Sequence, residues 1–218
     1  MVKFSNDADI LKYEPALFGE LHLSWQVLAS GSGATVSGTT LTASGTDFIS
    51  SHVSAGAVAH LESDDGSIAG AYEVVSVDSG TQLTVSVVRG DTQAVAIAPP
   101  AATDVRYRIS TLEPQAVEAA FALTEYFGVK PGNPASDYAA DDIMDTEALR
   151  RASVFAVIAC VYGMLAGKHA NRGFWDKSGH YQQLFEKAKA RCQLSIDVGS
   201  DGVADLTRVG ASARLIRD

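Results

Sequence analysis

The chain has 218 residues, of which 46% are hydrophobic, enough for one substantial core or for one core with a smaller satellite domain, and a largely disordered chain is excluded. Its formal net charge is −9, and the charge is uneven: residues 1–105 hold three basic residues against twelve acidic ones, and residues 106–218 hold fourteen of each. Because an acidic segment repels phosphate backbones, direct nucleic-acid binding by the first half is disfavoured.

Residues 1–29 predict a short helix or turn followed by an irregular apolar arm that joins a helical core. Apolar positions recur here at mixed spacings of three and four, and Pro15 interrupts the pattern. Residues 1–9 contain no basic segment that leads into an apolar one, so we expect no secretory signal and folding in a cytoplasm. The Gly31-Ser32-Gly33 segment is interpreted as a linker, because strand-like residues follow it and no helix does.

Residues 30–110 are rich in Gly, Ser, Thr and Val and have a period of two, which indicates a β-rich domain. The clearest hairpin pairs residues 72–77 with residues 83–88 across a turn at residues 78–81. Short strands at regular spacing favour a small antiparallel barrel or sandwich. The predicted strands are residues 39–43, 58–61, 71–77, 82–88 and 105–109.

Residues 111–197 have helical periodicity and predict a helical core. Ser110 and Glu113 have the spacing of a capping box at the start of the first helix, and Gly128 is placed to end it. The third helix is predicted to continue to Ile196 because its apolar residues line one face. The predicted helices are residues 114–127, 146–167 and 174–196.

The longest apolar run of the chain, residues 154–166, lies in the second predicted helix. It is shorter than the roughly 20 residues that cross a bilayer, so it predicts a buried helix and no membrane span. Cys160 and Cys192 lie in helix-like patterns without metal-ligand spacing, which predicts two reduced thiols in the core.

These elements predict an α+β fold in which a small helical bundle carries an inserted antiparallel β-domain, a barrel or sandwich, and has extended terminal arms. An insertion is expected because such domains leave and re-enter their host at surface loops. The last segment is expected to be an exposed, basic tail. The predicted domains are residues 1–29, 30–110, 111–197 and 198–218.

Several short motifs are better explained as turns than as sites. Residues 197–202 resemble the start of a calcium loop, but Gly199 and Arg208 stand where that loop needs oxygen ligands. The Arg89-Gly90-Asp91 segment is interpreted as a turn after a strand and not as a receptor-binding tripeptide. Asp64 and Asp65 are expected in a solvated turn. The sequence therefore predicts no catalytic site, no metal site and no cofactor, and no enzymatic activity.

A basic and aromatic segment, residues 168–175, is predicted to bend between the two long helices. One interpretation is a capped helical hairpin in which Trp175 anchors the turn. The other is a docking surface for a protein, because Arg and Trp are common anchors of interfaces. Lys168, Arg172 and Trp175 are the candidate contact residues.

The helical parts resemble a known family. Residues 6–11, the small-residue face of residues 145–167, and the third helix with Tyr181, Lys187 and Ala188 resemble the helical scaffold of head-tail connector proteins of tailed phages, also called adaptor or head completion proteins. The central strands are similar to β-domains of phage neck and tail proteins. The large β-insertion departs from the short helical members of the family.

The resemblance implies a structural, oligomeric protein of the virion, assembled in the host cytoplasm and placed at the head-tail interface. It implies a ring, usually of twelve subunits, that is seated beneath the portal protein and receives a neck stopper or tail terminator protein on its opposite face. DNA would pass through the ring without sequence-specific binding. A membrane partner is not expected.

The resemblance also implies that the C-terminal tail reaches onto the portal. The tail mixes arginines with apolar residues, and such a segment can add as a strand or lie in a groove of a partner. A solvated, disordered end is the alternative for this segment. An alternative function is a tail or surface module whose β-domain binds a glycan or a protein receptor. The candidate portal-binding residues are Leu206, Arg208, Val209, Arg214, Leu215, Ile216 and Arg217.

Overall fold

The computed structural model describes residues 2–169, 172–199 and 201–210. These residues form an α+β fold with a closed six-stranded antiparallel barrel and four α-helices. They divide into two compact units. The barrel unit is Asn6–Leu112, and the helical unit holds residues 2–5 and the described residues from Glu113 onward.

The barrel unit begins with a short helix and continues with six strands in the order β1-β2-β5-β4-β3-β6, with β6 returning to β1. Closure gives every strand two neighbours, so this sheet has no edge strand. Its core is apolar and includes an edge-to-face contact between Phe48 and Tyr107, whose ring centroids are 5.8 Å apart. The elements are α1 (Asp7–Leu11), β1 (Val27–Ser37), β2 (Thr40–Thr42), β3 (Val58–Glu62), β4 (Ala69–Ser79), β5 (Gln82–Ser86) and β6 (Ala102–Ser110).

The structure confirms the antiparallel barrel and the β4–β5 hairpin, but it corrects the interpretation of residues 31–33 as a linker. They lie within β1, which pairs with β6. Gly31 faces Tyr107, and a Cβ on Gly31 would lie only 2.7 Å from the phenol oxygen. Gly33 has a positive φ of 74° at a shift in register. Glycines in strands mark such bulges and close approaches, so here they permit the strand instead of interrupting it.

The N-terminal segment differs from the expectation that residues 1–29 join the helical core. The capping box of Asn6 and Asp9 starts α1, and the Ala8 amide donates to the Gly56 carbonyl oxygen at 2.9 Å, within the barrel unit. Only residues 2–5 lie in the helical unit, where the Ser5 and Ser153 hydroxyls are 2.8 Å apart. Apolar periodicity predicts a buried face, and it carries no information about which core buries it.

A buried ion pair fixes the loop that follows β5. The Glu73 carboxylate accepts from Nη2 of Arg89 at 2.7 Å and from its Nε and backbone N–H at 3.2 Å each. Arg89 also donates from Nη1 to the Ala94 carbonyl oxygen at 2.6 Å, and only 8% of the residue is exposed. The Arg89-Gly90-Asp91 segment therefore holds its own loop in place, and its arginine is not available to a receptor.

The helical unit contains α2 (Glu113–Phe127), α3 (Glu147–His169) and α4 (Arg172–Arg191), followed by the strands β7 (Gln193–Ile196) and β8 (Leu206–Val209). Gly128, with a φ of 69°, ends α2 as predicted. Most of the apolar run in α3 is buried, and Tyr162 is fully buried among aromatic rings of α4. Residues 147–168 are long and apolar enough to cross a membrane, and 61% of their apolar window is buried inside the protein.

Two sequence expectations about this unit are wrong. Cys160 is exposed, whereas Cys192 is buried as predicted. The third helix ends at Arg191, and residues predicted as its last turn form β7. Leu194 and Ile196 are both fully buried, and a spacing of two residues is typical of a strand. In so short a segment the same residues also fit a helical face, so periodicity alone did not separate the two structures.

We predict that Ile158→Asp abolishes soluble expression. Ile158 is fully buried in α3, and an unpaired charge there costs several kcal/mol, comparable with the about 5–15 kcal/mol that stabilises a whole domain. Met164→Asp is the matched control, because Met164 lies on the same helix and is 37% exposed. The measurement is the soluble fraction followed by circular dichroism. Normal folding of the Ile158 variant would show that the core is misplaced.

We predict that Glu73→Ala lowers the free energy of unfolding of the barrel unit by about 3–5 kcal/mol, because it leaves the buried Arg89 guanidinium without its counter-charge. Glu62→Ala is the control. Glu62 pairs with Arg106 at 3.4 Å on the exposed surface, where such a pair contributes about 0–1 kcal/mol. Urea unfolding of both variants measures the difference, and equal losses would contradict the predicted role of the buried pair.

Candidate interaction surface

The C-terminal hairpin of the helical unit carries three of the predicted portal-binding residues. β7 and β8 pair antiparallel, with Leu194 opposite Arg208 and Ile196 opposite Leu206. On its other side, β7 receives the Met144 amide, which donates to the Ser195 carbonyl oxygen at 3.0 Å. β7 is therefore held from both sides, and the side chains of its own residues Leu194 and Ile196 are fully buried.

β8 is the outer strand of this hairpin. Thr207, Arg208 and Val209 are exposed, while Leu206 is half-buried. Among the described residues, β8 pairs with a strand on one side only. An open edge of this kind is a template to which an extended segment of a partner can add.

The end of β8 is pinned to the helical unit, which corrects the prediction of a tail freed from the third helix. The Gly210 amide donates to the Cys192 carbonyl oxygen at 3.0 Å, and the Tyr126 hydroxyl donates to the Gly210 carbonyl oxygen. Gly210 is buried, and a Cβ there would collide with the Lys189 carbonyl oxygen. Leu206, Arg208 and Val209 are thus part of a folded hairpin. Arg214, Leu215, Ile216 and Arg217 lie outside the described residues.

The turn between the two strands is held by carboxylates that accept backbone amides. Asp197 accepts from Asp201 at 3.3 Å and from Gly202 at 2.8 Å. Asp205 accepts from Val198 at 2.8 Å and from Gly199 at 3.1 Å. Asp197, the first residue of the segment that resembled a calcium loop, thus stabilises a turn. In the described ranges, no group of three or more His, Cys, Asp or Glu is arranged to hold a metal ion.

The second predicted surface, residues 168–175, covers the end of α3 and the start of α4 along the chain. Lys168 and Arg172 are exposed near the helix ends. Phe174 packs against Tyr162, with ring centroids 5.9 Å apart, whereas Trp175 is 57% exposed. Phe174, not Trp175, therefore anchors this end of the helix pair, and the segment from Arg172 onward is helix instead of bend. Trp175 remains available for contact with a partner.

A groove between α3 and α4 was not predicted from the sequence. It has a volume of about 370 Å³ and an apolar floor that includes Phe155, with Arg151, Lys187 and Arg191 among its lining residues. The guanidinium of Arg151 lies 5.6 Å from the centroid of the Phe155 ring. Alanines at 148, 152 and 188 also line the groove. The alanines on the two facing helices are the feature of the sequence from which a groove could have been predicted.

The barrel unit has a polar cleft of about 380 Å³ on its outer surface, lined in part by His60, Glu62, Arg106 and Arg108. Arg108 donates from Nη2 to the Gly19 carbonyl oxygen at 2.7 Å, while its buried Nε has no hydrogen-bond acceptor. Burial, and then the charge of Arg108, lower the pKa of the His60 imidazole. The cleft is therefore a cationic recess in which the imidazole favours its neutral form.

The acidic turn beside this cleft is solvated, as the sequence predicted. Asp64 is exposed and pairs with Arg106 at 2.9 Å. The hydroxyl of Ser63, followed by the amide of Ser67, lowers the pKa of Asp65 to about 2. Asp65 therefore has its partners within the turn, and Asp64 has its partner on β6.

No family model, no curated protein and no solved structure matches this chain.

We predict that Gly210→Ala releases the β7–β8 hairpin while α3 stays protected. The added methyl collides with the Lys189 carbonyl oxygen, and overpacking of this kind costs about 1–3 kcal/mol. Gly199→Ala is the control, because a Cβ there has no neighbour closer than 3.9 Å. Hydrogen exchange should be faster at residues 193–196 and 206–209 of the Gly210 variant only. Unchanged protection would show that Gly210 does not pin the hairpin.

Proposed function

We propose that this chain is a structural subunit of a phage head-to-tail connector ring. In this proposal it is an adaptor that docks beneath the portal protein and links the DNA-filled head to the neck or tail. The helical unit is the scaffold of the ring subunit, with the barrel unit as an insertion between residues 5 and 113. The observation that carries the proposal is the open, exposed edge of β8, which is pinned at Gly210 immediately before the basic C-terminal segment.

The β8 edge supports docking by strand addition. The bond from Gly210 to Cys192 sets a register in which alternate residues of β8 direct their N–H groups toward β7. Thr207 and Val209 then direct their N–H groups to the open side. A strand of the portal can accept these bonds, and Arg208 can pair with acidic side chains beside it.

In a ring, many weak contacts between β8 edges and the portal act together and give a stable complex. Each β8 edge offers only a few hydrogen bonds, but a closed ring, which we propose has twelve copies, presents all of its edges to the portal at once. The residues beyond Gly210, with Arg214, Leu215, Ile216 and Arg217, extend the same surface in this proposal. DNA passes through the ring without sequence-specific binding, and the opposite face receives a neck stopper or tail terminator protein. The complex forms in the host cytoplasm and remains in the virion.

We predict that Thr207→Pro weakens co-sedimentation with the cognate portal ring at least ten-fold. Proline removes the outward N–H while the bonds of neighbouring residues to β7 remain. Thr207→Val is the matched control and should bind as the unchanged protein does. Deleting residues 211–218 is a second variant, and it should reduce binding without lowering the melting temperature of the helical unit. Full binding by both the proline variant and the truncated protein would move the portal contact to the surface of Lys168, Arg172 and Trp175.

A second candidate function is a receptor-binding module, which the cationic cleft of the barrel unit favours. Arg106 and Arg108 among its lining residues are suited to an anionic or hydroxyl-rich ligand such as a glycan. Binding of the full chain to a glycan array, abolished by Arg106→Ala, would support this function. Arg106 is chosen because it is 54% exposed in its side chain and holds no backbone group.

A further inference from the structure

We propose that the hairpin tip of one copy, residues 201–205, docks in the α3–α4 groove of the next copy. The contact is head-to-tail between identical chains. This inference deepens the proposed function by naming the contact between neighbouring subunits, and it rests on that function only for the closure of the chain of contacts into a ring.

The groove is built for an apolar group within a cationic rim. Phe155 is 4% exposed and forms part of the floor, and Leu184 is half-buried beside it. The volume of about 370 Å³ accommodates one or two aliphatic side chains, since ligand pockets start at about 300 Å³. An exposed apolar recess of this kind gains free energy when a partner covers it.

The rim carries three cations without counter-charges. Arg151, Lys187 and Arg191 make no ion pair with any carboxylate in the described part of the chain. Neighbouring cations do pair: Arg150 lies 2.6 Å from Glu147, and Lys189 lies 2.8 Å from Glu186. The groove therefore attracts a ligand that joins an apolar side chain to carboxylates.

The hairpin tip has that composition. Val203 is 63% exposed and stands between Asp201 and Asp205. Neither carboxylate has a cationic partner among the described residues. Asp201 accepts the Val203 amide at 2.9 Å, and Asp205 accepts two further amides of the turn. The tip is thus held in shape before it binds, which reduces the ordering entropy that docking must overcome.

The same hairpin keeps its tip away from the groove of its own chain. Cys192 and Gln193, at the base of β7, line the groove, whereas the tip, residues 201–205, lies beyond the far end of β7 at Ile196. The four residues of β7 span about 13 Å at about 3.3 Å per residue. Because β7 is bonded on both sides, the hairpin cannot fold back, and the tip reaches a groove only on another copy.

Charge then selects the pairing of a tip with a groove. Groove against groove or tip against tip would bring like charges together, whereas a tip in a groove joins opposite charges. Where two copies do not exchange their tips reciprocally, the contact is heterologous and repeats until it closes into a ring or extends as a filament. The groove and the tip are different surfaces of one unit, so each copy can use both.

Cross-linking between two single variants of the full chain tests the contact. One protein carries Val203→Cys and the other Lys187→Cys, both in a Cys160→Ser background that removes the exposed native thiol. A short bismaleimide should join residue 203 of one copy to residue 187 of the other, as assigned by mass spectrometry. The control replaces Lys187→Cys with Gln182→Cys, which is exposed on α4 outside the groove. It should give at least five-fold less product.

Electrostatics provide an independent readout. Adding Arg151→Glu and Arg191→Glu to the Lys187→Cys protein should lower the cross-linked fraction at least five-fold, and so should salt well above physiological strength. An unchanged melting temperature of the charge-reversed protein shows that its fold is intact. Equal cross-linking at positions 187 and 182, or no dependence on charge and salt, would overturn the docking contact.

Failure of this contact and failure of the ring are distinguishable. Rings in electron micrographs without the 187–203 cross-link would retain the proposed function and overturn the groove contact. The cross-link in open filaments that do not bind a portal would retain the contact and overturn the connector.

Discussion

The position of Cys192 determines the layout of the surfaces in the helical unit. At this residue α4 ends and β7 begins, and its amide donates to the Lys189 carbonyl oxygen at 3.2 Å. The thiol donates to the carbonyl oxygens of Ala148 on α3 and Ala188 on α4, at 3.1 and 3.3 Å. Its carbonyl oxygen accepts the Gly210 amide, where β8 ends. One residue thus joins two helices and both ends of the hairpin, and burial raises the pKa of its thiol, which keeps it protonated and chemically inert.

Two different surfaces adjoin Cys192. On one side of this residue lies the groove between the helices, whose rim cations pair with no carboxylate of the described residues. The β7–β8 hairpin, which follows Cys192 in the chain, has an open strand edge and an acidic tip. The length and stiffness of β7 separate these features, so that the same short strand gives one unit two unlike surfaces. The barrel unit obtains its order differently, from an apolar core and from the buried Glu73–Arg89 pair that anchors an adjoining loop.

The sequence predicted the features that depend on neighbouring residues. The β4–β5 hairpin follows from alternating residues around a turn, and the end of α2 follows from the freedom of Gly128 at positive φ. Features that depend on distant residues were missed. Gly31 belongs in a strand only because Tyr107 lies against it, and Arg89 is buried only because Glu73 meets it. The groove was missed for the same reason. Whether a carboxylate lies near a cation depends on the three-dimensional fold and cannot be derived from their separation along the sequence.

The contrast between a closed barrel and a hairpin with one open edge has a consequence for the self-association of this chain. Unpaired strand edges favour indiscriminate polymerisation, and the closed barrel has no edge strand. In the β7–β8 sheet the open edge is limited to the four residues of β8, where exposed Arg208 repels another copy that approaches edge to edge. A short, positively charged edge of this kind disfavours edge-to-edge addition of an identical chain and favours addition of a strand that carries the opposite charge.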